Sequence, residues 1–460
     1  MSMNFVSPLG KVRTVVVICC FILIVSIFGY AYFNNGNNSV IAKDEVLENV
    51  ETLDIDELKY DYVSSYIKKY GIGNINTYKF NAVEQQLEAD FYMELPEEKE
   101  LAKKICLLFV EHFYDKINLE DKEEVTDALL KCLIASLDDP YAYYRTKDEF
   151  NEYLGSLESG EEFVGIGVIM NAETLEILMV YPDSGAAEAG ILPEDFIYAV
   201  DGKSIDEYSN EEVLALIAGE PDTTVSVTVK RGEEKLDFTV TRRVLTERSV
   251  YYEITEDKIG IIQITQFLED TTSQFIEAVD YCTENGAVAL VIDVRYNPGG
   301  LVNTAVAIVD YLVPDADGRT IISYDRAGDS YKYYTNDGHS VDLPIAVLCN
   351  EHSASCAELF TSAMRDFNEE GCIDAIIVGT TTYGKGVAQS SYMLYDGSGI
   401  TYTICYLNPP SGVNYNGIGI IPDVEVHEVE EFDAPLSSAL EELAKIINTN
   451  GNGESLDAAA

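Results

Sequence analysis

The spacing of apolar positions along this 460-residue chain changes several times. Residues 14–33, TVVVICCFILIVSIFGYAYF, are almost wholly apolar and uncharged. About 20 apolar residues at ~1.5 Å each span ~30 Å of hydrocarbon, so this run predicts a membrane-spanning helix. Residues 34–80 are polar, Asn-rich and acidic and read as a spacer, with a short helix near Ile55–Tyr70. From 96 to 155 the period is helical. Val125, Leu129, Leu133 and Leu137 recur every four residues, and Leu130 and Ile134 widen the stripe into a core face. Asp139-Pro140 is expected to stop that helix. After residue 160 the runs FVGIGVIM, LEILMVY, FIYAV and TVSVTVKRG are short β-type segments between turns. KIGIIQI, AVALVIDVR, IAVLCN and AIIVG then read as buried strands, with helical stretches such as TTSQFIEAVDYCTE and ASCAELFTSAMRDF between them. That alternation predicts an α/β layer with helices covering a sheet. A last helix near Leu436–Ile447 runs into a Gly/Asn/Ala tail.

The expected organisation is thus a cytoplasmic N-terminus at 1–13, an anchor at 14–33, a spacer at 34–80 and a helical segment at 81–158. A β-domain at 159–245, an α/β domain at 246–432 and a C-terminal helix and tail at 433–460 complete it. Lys11 and Arg13 precede the apolar run, and no Asp or Glu occurs in the first 33 residues. A basic flank inside and an acidic chain outside make a single-pass anchor with the bulk of the protein outside the cytoplasm the expected arrangement. A cleaved signal peptide is the rival, but no A-x-A-like site follows the run.

Charge narrows the partners. With 30 Lys and Arg against 80 Asp and Glu, the net charge of −50 repels nucleic acid and anionic lipid surfaces. Seven cysteines lie beyond the apolar run, without a C-x-x-C pair and in apolar contexts. That pattern is neither a zinc site nor a small disulfide framework, and buried free thiols are expected. No metal and no cofactor is expected.

The segment from 159 to 245 resembles a PDZ domain. Val164-Gly165-Ile166-Gly167 matches the loop that binds a carboxylate in that family, and Ala187 to Gly190 followed by Ile191-Leu192-Pro193-Glu194-Asp195 matches its A-G-I-x-P-G-D, with Glu194 in place of glycine. The resemblance implies recognition of a free peptide C-terminus by strand addition. A small β-domain with glycine turns and no ligand is the plainer reading.

Candidate chemistry sits in three stretches of the α/β domain. VGTTTYGKGVAQ, residues 378–389, matches all but the last letter of a phosphate-binding G-x-x-x-x-G-K-[ST] loop. Gly386 stands where the Mg²⁺-binding hydroxyl belongs, which argues against a nucleotide site. VIDVRYNPGG, residues 291–300, ends a buried strand in glycines that can turn N–H groups toward a ligand. NEHSASCAELF, residues 350–360, passes from a strand through small residues into a helix. There a hydroxyl at the helix N-terminus would lie beside N–H groups able to hold an oxyanion; Ser353 or Ser355 could equally be a simple helix cap. A serine nucleophile needs a base. None of the four histidines, His112, His339, His352 and His427, is obviously placed for it. Lysine can serve if neutral, although at its reference pKa of ~10.4 only about one in 2,500 is neutral at pH 7. Lys385 has glycines on both sides and no carboxylate for several residues, and desolvation would lower its pKa. Gln389, four residues on, can orient the amine without adding charge. The flanking glycines are expected to let a substrate backbone pass close.

Together these stretches resemble the carboxyl-terminal processing proteases, also called tail-specific proteases, over about residues 95–430. LDDPYAYYRTKDEF, NPGG, SASCAE, YGKGVAQ and PPSGVNYNGIGIIPDVEV occur in that family's order. The resemblance implies a PDZ domain followed by a crotonase-like α/β serine peptidase domain. It implies Ser355 as nucleophile, Lys385 as general base and Gln389 as the residue that orients it. The oxyanion hole would use the Cys356 N–H and one from Gly299 or Gly300, and Val164, Gly165, Ile166 and Gly167 would hold the peptide carboxylate. Cys356 and Ala357 replace the family's Ala and Ser. The hole uses a backbone N–H, so activity is expected to survive. The implied partners are proteins or peptides with free C-termini. A membrane-tethered PDZ scaffold with an inactive protease domain, and a crotonase-like acyl-CoA enzyme, are the rivals.

Overall fold

The computed structural model describes residues 62–453, apart from 159–161, 171–173, 182–183, 193–194, 206–207, 233, 247, 315–318, 325–327, 329, 335–336 and 430–431; it also describes 47, 48, 50 and 51. The apolar run at 14–33 and Glu194 lie outside the described residues. Among the described residues no helix is long and apolar enough to cross a membrane.

Four helices open the described chain: α1 (Val63–Lys69), α2 (Thr77–Asp90), α3 (Glu98–His112) and α4 (Lys122–Ala135). Helix α1 lies within the short helix expected near Ile55–Tyr70, and the start of α2 falls in the stretch read as spacer. Val63, Ile67 and Tyr70 lie on one helical face and are buried in the same core as Phe80, Phe109 and Leu129, so burial overrides the polar composition around them. The stripe on α4 is core as expected, and Asp121 caps that helix by accepting from the N–H groups of Glu123 and Glu124. Such a cap contributes ~1 kcal/mol. The helix ends at Ala135, before Asp139-Pro140, where the Ser136 hydroxyl donates to the Cys132 carbonyl. Asp139 is thereby left for another task.

The helical segment is not separate from the α/β domain. Strand β1 (Tyr143–Arg145), ahead of helix α5 (Lys147–Glu158), pairs antiparallel with residues 399–401 far down the chain. Leu394, Ile400 and Tyr402 sit in the helical core. Lys79, 2% exposed, holds Asp127 and Asp396 at 2.6 Å each and so ties α2 and α4 to the same distant hairpin.

The next region comprises β2 (Glu162–Gly165), β3 (Val168–Met170), β4 (Ile177–Val180), α6 (Gly185–Ala189), β5 (Phe196–Val200), β6 (Lys203–Ser204), α7 (Asn210–Ile217), β7 (Thr224–Arg231), β8 (Glu234–Thr241) and β9 (Arg243–Thr246). Its strands form a β6-β5-β7-β8 sheet and the pairs β2-β9 and β3-β4 around a core that includes Ile166, Val213, Val227 and Val240. Buried Asp195 takes a bidentate pair from Arg231 and also accepts from the Leu192 N–H.

The α/β domain holds β10 (Val250–Ile254), β11 (Ile259–Ile264), α8 (Thr271–Glu284), β12 (Ala289–Asp293), α9 (Val302–Leu312), β13 (Arg319–Tyr324), β14 (Ser330–Tyr334) and β15 (Ile345–Cys349). It continues with α10 (Cys356–Glu369), β16 (Ala375–Gly379), β17 (Val387–Met393), β18 (Gly399–Asn408), β19 (Val424–Glu425) and α11 (Ala434–Gly453). The main sheet has the order β10-β11-β12-β15-β16-β19, antiparallel only at β10. Strands β11, β12 and β15 are buried at every position because both faces are covered, by α8, α9 and α10 on one side and α11 on the other. A second sheet, β1-β18-β13-β14 with β17 beside β18, joins the helical segment to this domain. The chain leaves the C-terminal ends of β12, β15 and β16 through the three stretches picked out in the sequence, which is where open α/β sheets place their sites.

Candidate active site

Strand β15 ends at Cys349, and the chain turns through Asn350–Ala354 before α10 starts at Cys356. The turn is held at each step. Ser353 is fully buried; its hydroxyl donates to the Val294 carbonyl and accepts from the Asn350 N–H. The Ala354 N–H donates to the Asn297 carbonyl. Ser353 is therefore a brace, and Ser355 is the residue left at the helix N-terminus. Its backbone, at φ 55° and ψ −114°, lies outside the regions an L-residue ordinarily adopts. Such a conformation costs on the order of 1–3 kcal/mol and persists only where its surroundings enforce it.

The enforcing residue is Glu358, one turn into α10 and fully buried. Oε2 accepts from the N–H groups of Ser355 at 2.9 Å and Lys385 at 2.7 Å. Oε1 accepts from the Thr382 hydroxyl and the Gly384 N–H, both at 2.6 Å. Four donors compensate the burial of this carboxylate. One oxygen thus holds the backbones of Ser355 and Lys385 side by side, although 30 residues separate them. Sequence reasoning assigned Glu358 no role; the S-x-x-E spacing from Ser355 was the available signal.

The glycine stretch supplies the floor. The Gly299 N–H is taken by Asn297 Oδ1 at 2.8 Å. Gly299 itself (φ 104°) stacks on the serine: a Cβ there would lie 2.7 Å from Ser355 Cβ and 3.0 Å from the Cys356 nitrogen. The carbonyls of Gly299 and Phe267 accept from Phe267 and Leu301, so the Gly300 N–H is left without a backbone acceptor among the described residues. Of the two glycines open in the sequence, Gly300 is the one with a donor to spare. The Cys356 thiol, fully buried, lies 3.2 Å from the Gly300 carbonyl and donates to it; burial pushes its pKa up to about 12 and keeps it a neutral thiol.

Lys385 lies in the turn between β16 and β17. A strand, not a helix, follows it, which removes the phosphate-loop reading. Its Nζ sits 4.3 Å from the centre of the Tyr141 ring. Burial lowers its pKa below the usual lysine value, against weaker upward pulls from Cys356, Asp139 and Glu358. The glycines around it do not make room for a substrate. A Cβ at Gly384 would lie 3.1 Å from the nitrogens of Ile418 and Gly419, and one at Gly386 would lie 2.8 Å from that of Asn416. They admit the 414–419 loop, which clasps the turn through Gly417 N–H to Gly384 O, Gly386 N–H to Asn416 Oδ1 and Asn414 Nδ2 to Gly386 O. Gln389 follows a bulge in β17, and its amide donates to Thr403 Oγ1 at 3.1 Å, leaving the carbonyl oxygen as an acceptor.

Among the described residues no histidine bonds to Ser355. His352 stacks on Tyr296 and is half exposed, His339 bonds to the Tyr311 carbonyl, and His112 and His427 are exposed beside glutamates. Among the described residues no group of acidic, His or Cys side chains is arranged to hold a metal ion.

In the β-domain, Gly167 (φ 80°) is obligatory, because a Cβ would lie 2.1 Å from Ser184 Cβ. Gly165 is part of β2, where nothing crowds it closer than 3.4 Å. Ile166 is buried and its carbonyl accepts from Ala186, while the N–H groups of Ile166 and Gly167 have no backbone acceptor among the described residues. Val164 pairs with Val244 in the ladder. Strand β3 pairs with β4 alone among the described strands. Its Val168 and Met170 pack with the core that holds Val213 and Ile217 of α7, and Ile169 packs on the α/β-domain core.

Comparison with known proteins places these regions. The model of peptidase family S41 matches residues 258–426, and that of the PDZ domain matches residues 176–231. A probable CtpA-like serine protease of Staphylococcus haemolyticus (strain JCSC1435) is 33% identical over 338 residues, which cover 72% of this chain and 66% of that protein. The protein of the same description from Staphylococcus aureus (strain COL) is 34% identical over 320 residues, covering 68% and 62%. The chain thus spans just under two thirds of the length of these relatives. Among solved structures, a photosystem II D1 C-terminal processing protease is 26% identical, with a TM-score of 0.44, covering 76% of this chain and 92% of that one. The chain belongs to peptidase family S41 and carries a PDZ domain ahead of its peptidase domain.

Proposed function

We propose that this chain is a serine endopeptidase that engages protein tails at its PDZ domain and cuts them with Ser355 as nucleophile and Lys385 as general base. The observation that carries the reading is the buried Glu358 carboxylate, which sets Ser355, in a strained backbone, beside a lysine whose pKa burial lowers. Lys385 takes the Ser355 proton as Oγ attacks the scissile carbonyl. The N–H groups of Cys356 and Gly300 donate to the oxyanion, with the Cys356 thiol holding the Gly300 carbonyl on the far side of the same residue. The lysine ammonium then returns the proton to the leaving amine. Gln389, with its carbonyl oxygen unclaimed by Thr403, orients the amine. At the PDZ domain the free N–H groups of Ile166 and Gly167 donate to a terminal carboxylate, and the tail adds to the edge of β3. The apolar run at 14–33, with Lys11 and Arg13 before it, anchors the enzyme in a membrane with the peptidase outside the cytoplasm.

The test compares two serines in cleavage of an unstructured protein. Ser355→Ala is expected to abolish cleavage. Ser353→Ala, which orphans the Asn350 N–H and leaves the Val294 carbonyl with the Asn297 N–H alone, is expected to lower the thermal midpoint while the folded fraction still turns over. Cleavage by Ser355→Ala would remove the proposed nucleophile.

A further inference from the structure

We infer that Tyr141, which stands outside the peptidase domain in sequence, is a positioning residue for the general base: the face of its ring closes one side of the Lys385 amine and stabilises the ammonium formed when Ser355 gives up its proton. This deepens the reading above and rests on it.

The geometry is direct. Lys385 Nζ lies over the Tyr141 ring, 4.3 Å from its centre. The turn that carries the ring is pinned from both ends by Asp139. Its Oδ1 accepts from the Tyr141 N–H and its Oδ2 from the Thr403 N–H, each at 3.0 Å. Thr403 Oγ1 in turn accepts from Gln389. Two residues later the chain enters β1 and pairs with β18. The helical segment therefore reaches the base through Tyr141 and the strand behind it through Asp139. The ionisable groups that face Lys385 are Asp139 on the same turn as the ring, and Cys356 and Glu358 on the first turn of α10. Tyr383, Tyr92 and Glu358 lie around the Tyr141 hydroxyl, and Tyr415 approaches Glu358 and Cys356 from the 414–419 loop. Glu358 already takes four hydrogen bonds and Cys356 is a neutral thiol. The ring face lies against the amine, and its attraction, like the pulls of Asp139 and Glu358, grows as the amine gains charge.

The electrostatics set the direction. An aromatic face attracts an ammonium through its quadrupole and has little hold on a neutral amine. In the attack step the Oγ–H bond breaks, its proton moves to the amine lone pair, Oγ bonds to the carbonyl carbon, and the carbonyl π pair moves to oxygen. The ring–nitrogen contact strengthens during that transfer, so it stabilises the transition state more than the ground state. The ring also keeps water from the amine, which disfavours the resting ammonium. These two effects pull the base's pKa in opposite directions, and a substitution that keeps bulk while removing the π face separates them.

The test uses the full chain and a quenched-fluorescence peptide with a free apolar C-terminus, with kcat and KM measured across pH. Tyr141→Phe keeps the ring face and is expected to match wild type in kcat and in the acidic limb of the profile. Tyr141→Leu keeps the site dry but loses the π face. Its kcat is expected to fall about 3- to 30-fold with KM unchanged, and its acidic limb to move to lower pH. The position of that limb does not depend on how much enzyme is folded, so a folding defect cannot imitate the shift. A leucine variant with wild-type kcat and limb would overturn the inference, as would a phenylalanine variant as impaired as the leucine one. An active Ser355→Ala or Lys385→Arg enzyme would instead overturn the serine–lysine reading itself, and those variants are scored separately.

Discussion

Replacing Glu358 by glutamine changes one atom and removes one charge from a fully buried position. The carboxylate takes two donors on each oxygen. An amide has one acceptor end and one donor end, so two of the four donors must face an NH₂ group. With the NH₂ on the Oε2 side, both the Ser355 and the Lys385 N–H groups lose their acceptor. With it on the Oε1 side, the Thr382 hydroxyl can turn and accept, although it already accepts from the Ile420 N–H, and only the Gly384 N–H is orphaned. The amide therefore settles on the Oε1 side. One buried unpaired N–H costs about 1–3 kcal/mol. The two bonds that survive at the other oxygen lose the strengthening of a charged acceptor, so the sum is on the order of 2–4 kcal/mol. Because Gly384 directly precedes the base, the strain appears as a displaced amine, and a misplacement of ~1 Å costs on the order of 10²-fold in rate. Glu358→Gln is thus expected to lower the thermal midpoint by several degrees and kcat/KM by about 10- to 100-fold, with KM little changed. Differential scanning calorimetry paired with steady-state peptide cleavage reads both. A glutamine variant with wild-type midpoint and turnover would refute the claim that this carboxylate aligns Ser355 with Lys385.

Two further expectations concern the ends of the substrate path. Amidating the C-terminus of a peptide substrate is expected to raise its KM severalfold through loss of a charge-assisted contact to the Ile166–Gly167 turn; fluorescence anisotropy with the Ser355→Ala protein checks the binding step, and equal affinity for acid and amide would make the PDZ domain structural here. Gly300→Ala is expected to abolish cleavage and to destabilise the fold, because the added Cβ would lie 2.1 Å from the Phe267 carbonyl oxygen; a stable, active alanine variant in urea unfolding and peptide cleavage would show that this turn is freer than its φ of 140° implies.

Much of the site could be read in the chain because it lies at places where local rules are broken. Four buried strands announced the main sheet, and three of them end in stretches too rich in glycine and small residues for a core. What stayed hidden is what depends on distant partners. Asp139-Pro140 looks like a helix stop, yet α4 ends earlier and Asp139 braces Thr403. The short helix expected near Ile55–Tyr70 is present at Val63–Lys69, but the polar composition around it hid that Val63, Ile67 and Tyr70 share a core with Ile400 and Tyr402. Strand β1 is three residues long and gains its meaning only from β18. Gly384 and Gly386 were rightly singled out but for the wrong neighbour, since nothing in a sequence says whether a glycine admits a ligand or another loop. Glu358 was overlooked because a glutamate near a helix start has a sufficient local explanation.

The central claim is that Lys385 works as a neutral amine. Burial lowers its pKa, so the wild-type rate is expected to rise with pH as the amine loses its proton and to level off below the range in which an exposed lysine titrates. Arginine keeps the positive charge and cannot act as a base in any accessible range. The decisive measurement is therefore cleavage of an unstructured protein by Lys385→Arg beside wild type across that pH range, with circular dichroism to confirm the fold. The account predicts a folded arginine variant with no cleavage at any pH; turnover by that variant with the wild-type pH profile would contradict it.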